Sequence, residues 1–264
     1  EFIVPAGYDE NEYLERLSSE GLFSLLKTKG LTQKQTRSKS LIHEYEQRLK
    51  HELSVISDRG FSKYFLTMKA IADKTNEVQI SGPGRGSAAG SLVAYALGIT
   101  QIDPIKYGLL FSRFLRSDAT DYPDIDYDVS DPMALKDILI DDWGNSTVVP
   151  ISNWNTLQLR SLIKDISKFY EIPFVEVNVV TGKMMAEATP TFEEVIEFSD
   201  SLQKFFKKHP DVKDHCEALQ GSYKSCSRHA GGVVVGEGLD RYMPLISSKG
   251  VRQTPWSEGQ NVRH

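Results

Sequence analysis

The chain has 264 residues, of which 40% are hydrophobic and 25% charged, a composition typical of a globular protein and not of a disordered or fibrous one. Its net charge of −5 argues against a general attraction to nucleic acid, so contacts with phosphates must come from local basic patches. No run of about 18 apolar residues is present, which predicts no membrane span. Cys216 and Cys226 form no CxxC motif and are predicted to be reduced cytosolic thiols.

The first 80 residues are predicted to be mainly helical. Apolar residues at intervals of three and four predict helices over 10–28 and 40–59. The basic, hydroxyl-rich stretch 27–40 predicts a loop between them, either a solvated turn or a contact with phosphates. Residues 64–74 are interpreted as a short strand running into a helix, and residues 78–80 as a short buried strand.

A glycine-rich stretch, SGPGRGSAAGS at 81–91, leads into a predicted helix over 91–98. Glycines let backbone amides approach an anion closely, and a helix N-terminus offers free N–H groups. Ser87 is placed to cap this helix and to donate to a phosphate, and Arg85 adds a fixed cation. The stretch therefore predicts either a phosphate seat or a tight structural turn.

Two known glycine motifs fit this stretch poorly. A P-loop requires Gly-Lys-Ser/Thr at its end, and no lysine is present here. Gly84, Gly86 and Ala89 give only the weaker GxGxxA form of the dinucleotide fingerprint. The acid that this fingerprint requires downstream would be Asp103, which lies in a predicted turn, TQIDP. A nucleotide-binding dehydrogenase half is therefore a weak alternative.

A second stretch, YPDIDYD at 122–128, places three aspartates at alternate positions, and the alternation predicts a strand. Side chains two apart on a strand share a face, so these carboxylates would repel one another unless a cation joins them. Adjacent carboxylates of this kind bridge the ions of two-metal sites. A calcium-binding loop is excluded, because Val129 replaces its glycine and Leu135 its closing glutamate. An acidic edge strand is the structural alternative.

The remainder of the chain predicts a helical insertion in a sheet. Residues 133–143 are predicted to be helical and residues 146–152 to form a strand. From 155 to 222 the helical pattern dominates, and a strand pattern returns at 231–236. The segment 155–222 is therefore interpreted as a helical subdomain between two parts of a sheet.

Three segments, taken in order, carry a specific resemblance. They are GPGRGSAAGSLVAYALGITQIDPIKYGLLFSRFL, PDIDYD and SRHAGGVVV, which begin at residues 82, 123 and 227. Together they resemble the palm of the bacterial C-family replicative DNA polymerases, the DNA polymerase III alpha subunits. The resemblance implies an α+β fold, with a palm sheet similar to the nucleotidyltransferase fold of DNA polymerase β, flanking helices and an inserted helical thumb.

The resemblance also implies a domain organisation. The palm would comprise residues 1–154 and 223–264, and the thumb residues 155–222, where the resemblance is weakest. Such helical units grip a duplex by its backbone. The local cations of the thumb and its boundary are Lys204, Lys207, Lys208, Lys213 and Lys224, and a solvated helix face explains these lysines equally well.

Site residues follow from the matched motifs. The resemblance implies that Asp124 and Asp126 are the catalytic, metal-binding aspartates, with Asp128 a neighbour of the site. The nucleotide-binding residues would be Arg85, Gly86, Ser87 and Arg113. Arg228 and His229 would lie on a strand beside the active site, although a plain structural role for His229 is equally open.

The implied activity is that of a DNA-directed DNA polymerase. Two Mg²⁺ ions are the implied cofactors, and primer–template DNA and a deoxynucleoside triphosphate are the implied partners. In the complete protein a sliding clamp and other replisome subunits would be further partners. The expected location is the bacterial cytoplasm, for a chromosomal or a phage-encoded protein. The alternative is a non-catalytic module that binds DNA or nucleotide with a polymerase-like palm.

The matched family has a third catalytic aspartate just after a segment like VRQTPW, residues 251–256 here. No residue of this chain fits that position, because Glu258 lies in a polar, glycine-containing stretch. The family's fingers domain and its amino-terminal phosphoesterase-like domain are not matched either. We therefore expect this chain to be an incomplete catalytic core that binds nucleotide and metal weakly and does not polymerise by itself.

Overall fold

The computed structural model describes residues 3–30, 36–184, 192, 194 and 199–257. The chain divides into two units, Glu1–Trp143 and Gly144–His264, and each has its own set of internal contacts. The first unit is helical and the second combines helices with two small antiparallel sheets. This mixture confirms the predicted α+β class. Glu258 and residues 31–35 of the basic loop lie outside the described residues.

The first unit packs its helices around one apolar core. Its α-helices are α1 (Glu10–Thr28), α2 (Thr36–Asp58), α3 (Ser62–Val78), α4 (Leu92–Ala96) and α5 (Pro132–Trp143). Short 3₁₀ helices cover Ser87–Gly90 and Phe111–Arg113. The helix α1 begins where the Asp9 side chain accepts hydrogen bonds from the amides of Asn11 and Glu12. Buried side chains of α1, α2 and α3, among them Leu14, Ile56 and Phe65, pack with Leu92 of α4.

These elements confirm the predicted helices over 10–28, 40–59 and 133–143. The strands predicted within 64–74 and at 78–80 are wrong, because α3 runs unbroken to Val78. Its apolar side chains Phe65, Leu66 and Ala72 are buried along one helix against the core. The helix predicted over 91–98 is the single turn α4, which gives way near Gly98, where φ is +76°.

The aspartate segment 122–128 does not form the predicted strand. Its only described pairing is an isolated antiparallel bridge between Ser81 and Val129, just beyond it. The Gly82 N–H donates to the Asp128 carbonyl at 2.8 Å, and the Ser130 N–H donates to the Ile80 carbonyl at 3.0 Å. The pairing stops there because Gly84, the next residue that would donate to the partner, has a φ of +118° and turns the chain away.

The second unit is built on a long antiparallel pair. Strand β1 (Val148–Thr156) pairs with β2 (Tyr223–Val235), in a register from Val148 opposite Val235 to Thr156 opposite Tyr223. The strands predicted over 146–152 and 231–236 are thus confirmed within longer elements. A second, short hairpin joins β3 (Ile246–Ser248) to β4 (Val251–Gln253).

Four described helices lie between β1 and β2 in the chain. They are α6 (Leu159–Phe169), α7 (Phe174–Thr181), α8 (Asp200–Lys208) and α9 (Pro210–Leu219). Their buried faces form a separate apolar cluster that includes Ile163, Leu202 and Phe205. The two segments that enter and leave this helical set lie side by side. The Leu157 N–H donates to the Ser222 carbonyl at 2.8 Å, and the Gly221 N–H donates to the Leu157 carbonyl at 3.0 Å.

None of the helices in the described part of the chain combines the length and the apolar character that a membrane crossing requires.

Candidate nucleotide and metal site

The glycine segment presents its middle to solvent and buries its end. Arg85, Gly86 and Ser87 are exposed, whereas residues 88–90 are buried. Within the described residues, the amides of 84–87 donate no hydrogen bond to protein. Unpaired and accessible N–H groups in a glycine loop are donors that a phosphate can use.

Ser87 does not cap a helix as predicted. Gly86, with a φ of +67°, precedes the 3₁₀ helix and offers no side chain, and the Ser87 hydroxyl makes no capping bond. The cap of α4 is Ser91 instead, whose Oγ accepts from the Ala94 amide at 3.1 Å. The cap falls later because the small residues 87–90 form a separate 3₁₀ turn before α4. The Ser87 hydroxyl therefore stays exposed beside the unpaired amides.

Arg85 joins the glycine segment to the aspartate segment. Its Nη2 lies 3.2 Å from Oδ1 of Asp126, and its Nε lies 3.2 Å from Oδ1 of Asp128. The side chain of Arg85 is 63% exposed, so these pairs are screened and each contributes little to stability. Asp126 and Asp128 thus point to the same side of their segment, as the two-residue spacing predicts, and that side faces the glycine loop.

The two segments also touch directly. A Cβ placed on Gly86 would lie 2.4 Å from Oδ2 of Asp126, and one on Gly82 would lie 3.1 Å from Cβ of Asp128. Any side chain at position 86 would therefore collide with the carboxylate. The glycine loop and the aspartates form one continuous surface, in which backbone amides, a guanidinium and carboxylates are neighbours.

Asp124 is exposed. It comes shortly after Tyr122, which belongs to a cluster of aromatic rings that the sequence analysis did not identify. The rings of Phe61 and Tyr64 lie with centroids 5.0 and 5.2 Å from that of Tyr122. The pKa of Tyr64 is raised to about 12, mainly because the side chain is buried. A hydrogen bond from the Ile125 backbone acts to lower this pKa, and the charge of Asp124 acts to raise it. Tyr64 therefore supports the aspartate segment from α3. The signal in the sequence was the four-residue spacing of Phe61 and Phe65 on either side of Tyr64, which is typical of one face of a helix.

Arg113 is exposed on the 3₁₀ helix Phe111–Arg113. This helix follows Leu110, whose carbonyl oxygen would lie 2.8 Å from a Cβ on Gly90. The backbone that carries Arg113 therefore packs against the end of the glycine segment, and the absence of a side chain at Gly90 permits that approach.

A buried ion pair on α2 reaches the same region and was also missed. Glu52 has no exposed surface, and its carboxylate accepts from Nε of Arg48 at 2.6 Å, from Oγ of Ser91 at 3.0 Å and from the Val93 amide at 3.0 Å. Burial raises the pKa of Glu52, whereas the backbone hydrogen bonds and Arg48 act to lower it. An acid at a buried helical position, four residues after an arginine, was the signal in the sequence.

Asp103 is in the predicted turn and is fully occupied within it. Lys29 and Tyr45 both bind its Oδ2, and its Oδ1 accepts from the amides of Ile105 and Lys106. Burial by itself would raise the pKa of Asp103, but the hydrogen bonds from Lys29 and Tyr45 outweigh it, and the pKa is lowered. Since this carboxylate is 4% exposed, it is not available to a nicotinamide-nucleotide ribose, which argues against the dehydrogenase alternative.

Arg228 and His229 belong to the second unit, on β2. Ser152 pairs with Arg228 and Pro150 with Val233, so Ile151 alone lies opposite residues 229–232. Nδ1 of His229 accepts from the amide of Gly232 at 2.7 Å and closes this bulge. The hydrogen bond supports the plain structural role for His229, and the place of Arg228 and His229 beside the active site stays a prediction.

The aspartates supply the oxygen ligands that Mg²⁺ prefers. Within the described residues, however, no group of three or more His, Cys, Asp or Glu side chains is arranged to hold a metal ion. Asp124 and Asp126 fit such an ion in chemistry and exposure. Binding through Asp126 would compete with its pairing to Arg85.

Comparisons with known proteins agree on one family. Residues 12–260 match the family model described as the bacterial DNA polymerase III alpha NTPase domain. The DNA polymerase III subunit alpha of Vibrio cholerae is 37% identical over 201 residues, which is 73% of this chain and 17% of that protein. Those of Borreliella burgdorferi and Staphylococcus aureus are each 34% identical, over 93% and 81% of this chain. The chain spans 17–21% of the length of these relatives.

Proposed function

Because the chain belongs to the family of the bacterial DNA polymerase III alpha NTPase domain, we propose that it is part of a DNA-directed DNA polymerase and carries a nucleotidyl-transfer site in its first unit. The observation that supports this most is the direct approach of Gly86 to Asp126, with Arg85 between the two segments. A phosphate seat and a pair of metal-binding carboxylates must be neighbours in such a site. The full-length protein should extend a primer with Mg²⁺, and the extension should stop when EDTA is added.

Each residue has a proposed role. Asp124 and Asp126 would hold the Mg²⁺ ions, which when bound supply Lewis-acid stabilisation of charge on the reacting phosphate. The unpaired amides of 84–87, the Ser87 hydroxyl and the Arg85 guanidinium would bind the triphosphate and fix its orientation for attack by the primer hydroxyl. Arg113 would bind the same phosphates from the adjacent 3₁₀ helix. Asp128 would hold Arg85 in place in the free protein.

The domain organisation is part of the proposal. We assign residues 1–154 and 223–264 to the palm, similar in fold to DNA polymerase β, and residues 155–222 to the thumb. Support comes from the helices α6–α9, which have their own apolar cluster and lie between two paired strands. Primer–template DNA would contact this helical set through phosphates.

The thumb assignment predicts a specific salt effect. Lys208 and Lys224 pair with Glu176 and Asp165, whereas Lys204, Lys207 and Lys213 have no ion pair within the described residues. Replacing these three unpaired lysines with alanine in the full-length protein should weaken primer–template binding. It should also lower the dependence of log K on log salt by about two to three, because counterions are released by each phosphate contact. Fluorescence anisotropy at several salt concentrations measures both quantities.

A charge-matched variant separates a local contact from a change in net charge. Alanine at Lys50, Lys69 and Lys74, on helices of the first unit, removes the same charge elsewhere. This control should leave the salt slope of the wild type unchanged. Equal slopes for the thumb variant and the control would contradict the thumb assignment.

Activity of the isolated chain is a further prediction. The resemblance implies a third catalytic aspartate that no residue of this chain matches, and loss of one metal ligand removes on the order of a thousandfold in rate. The 264-residue chain by itself is therefore expected to add no nucleotide to a primer with Mg²⁺ or Mn²⁺. A primer-extension assay decides this, and extension at the rate of a complete polymerase would show that the two aspartates suffice.

One observation favours the alternative of a non-catalytic nucleotide-binding module. Arg85 already pairs with both Asp126 and Asp128 and offsets part of their negative charge. In such a module, nucleotide binding would be independent of Mg²⁺, and the full-length protein would not extend a primer.

A further inference from the structure

We propose that Arg48 and Glu52 are positioning residues that set the affinity for the incoming nucleotide without touching it. They do so by holding the glycine segment and the 3₁₀ helix of Arg113 in one fixed arrangement. This inference rests on the proposed function, because it takes the glycine segment and Arg113 to be the two phosphate-binding elements.

Arg48 links the two elements through a single nitrogen. Its Nη2 donates to the carbonyl of Gly90 at 2.8 Å and to the carbonyl of Leu109 at 3.0 Å. Gly90 comes four residues after Gly86, and Leu109 comes four residues before Arg113. A shift of either backbone would therefore break a charge-assisted hydrogen bond.

Glu52 fixes the position of that guanidinium. Its carboxylate accepts from Nε of Arg48 and, at the same time, from the Ser91 hydroxyl and the Val93 amide at the start of α4. The same carboxylate thus ties α2 to the residue that follows the 3₁₀ turn of the glycine segment. A lysine at position 48 would keep the charge but lacks the planar fork that reaches Glu52, Gly90 and Leu109 together.

A buried ion pair is an inefficient way to stabilise a fold, since apolar residues of similar volume are often as stabilising. Here the pair satisfies two backbone carbonyls that belong to different segments, which apolar side chains cannot do. The contacts therefore specify a geometry, and the geometry they specify is that of the proposed phosphate-binding elements.

The test uses Arg48→Lys in the full-length protein, with Arg16→Lys as the matched control. Arg16 pairs with Glu20 at 2.9 Å with the same spacing, but on an exposed face of α1. Single-nucleotide addition gives KM and kcat, and thermal melting reports stability. Arg48→Lys should raise KM for the deoxynucleoside triphosphate by about tenfold and change kcat by less than about threefold. Arg16→Lys should change neither. An unchanged KM in Arg48→Lys, whatever its melting temperature, would overturn the proposal.

A double-mutant cycle with Arg113→Ala distinguishes a failure of the positioning role of Arg48 from a failure of the proposed function. If Arg48 acts through the position of Arg113, Arg48→Lys should raise KM much less in the Arg113→Ala background, by under about threefold. Full additivity would show that Arg48 does not position Arg113, which overturns the proposed link between the two elements and leaves the proposed function intact. An unchanged KM in Arg113→Ala alone would overturn the nucleotide-binding role of Arg113 in the proposed function. Should Arg48→Lys fail to fold, Ser91→Ala, which removes the hydroxyl bound to Glu52, replaces it in the cycle with the same criteria.

Discussion

Asparagine at Asp126 is expected to lower nucleotide addition by the full-length protein by about a thousandfold or more, while DNA binding stays within a few-fold of the wild type. Asparagine has nearly the size of aspartate, so the close contact with Gly86 is kept and only the charge that would hold a metal ion is lost. Asp124→Asn should have an effect of the same order. Single-turnover primer extension and anisotropy with labelled DNA measure the two properties.

Asp128→Asn is the matched control for this prediction. Asp126 and Asp128 each lie 3.2 Å from a nitrogen of Arg85, so either substitution releases one of its partners. Of these two partners of Arg85, only Asp126 is proposed to bind metal, and Asp128→Asn should therefore cost much less activity. Equal losses in the two variants would attribute the effect to Arg85, and normal turnover in Asp126→Asn would refute the metal-binding assignment.

Alanine at Gly86 is the second change with a large expected effect. Its Cβ would lie 2.4 Å from Oδ2 of Asp126, so the loop and the carboxylate cannot both keep their positions. With a φ of +67° and a ψ of −162°, Gly86 is in a backbone region essentially limited to glycine, so alanine adds strain of about 1–3 kcal/mol. We expect nucleotide addition to fall by about a hundredfold or more, because a displacement of about 1 Å in such a site has that cost.

Gly98→Ala separates the strain from the collision. Gly98 has a similar φ, +76°, but a Cβ there would meet no atom within 4 Å. Both variants should lose stability in thermal melting from backbone strain, and only Gly86→Ala should lose activity. If both variants retain activity in the full-length protein, then the approach of Gly86 to Asp126 has no part in the reaction.

The helices were predictable because their signals are local. Leucines at intervals of three and four in α1, with Asp9 as a cap, determine that element without help from the rest of the chain. The alternating aspartates at 122–128 gave a wrong strand, because alternation reports an extended backbone but not a partner. Whether a partner exists depended on Gly84, on the other side of the bridge at Ser81.

The residue types of the candidate site could be predicted from the sequence, but the contacts among those residues could not. Position and residue type were enough to place Arg85 and Asp126 in one candidate site. The pairing of Arg85 with Asp126 and Asp128 required the fold, since the residues are 41 and 43 positions apart. The network of Glu52 was hidden for the same reason, because two of its partners, Ser91 and Val93, lie at the start of α4 and its role appears only when α2 packs there.

The side-by-side entry and exit of the helices α6–α9 have a consequence for how this part of the chain can change. Leu157 is joined to Gly221 and Ser222 by two backbone hydrogen bonds. The segment between these positions therefore begins and ends at the same place on the second unit. The register of β1 and β2 is kept when the segment between Leu157 and Gly221 is lengthened, shortened or exchanged. Each doubling of the length of such a loop costs only about 0.6 kcal/mol in closure entropy. Such a segment tolerates replacement, which gives a physical reason for the weaker resemblance that the sequence analysis assigns to residues 155–222.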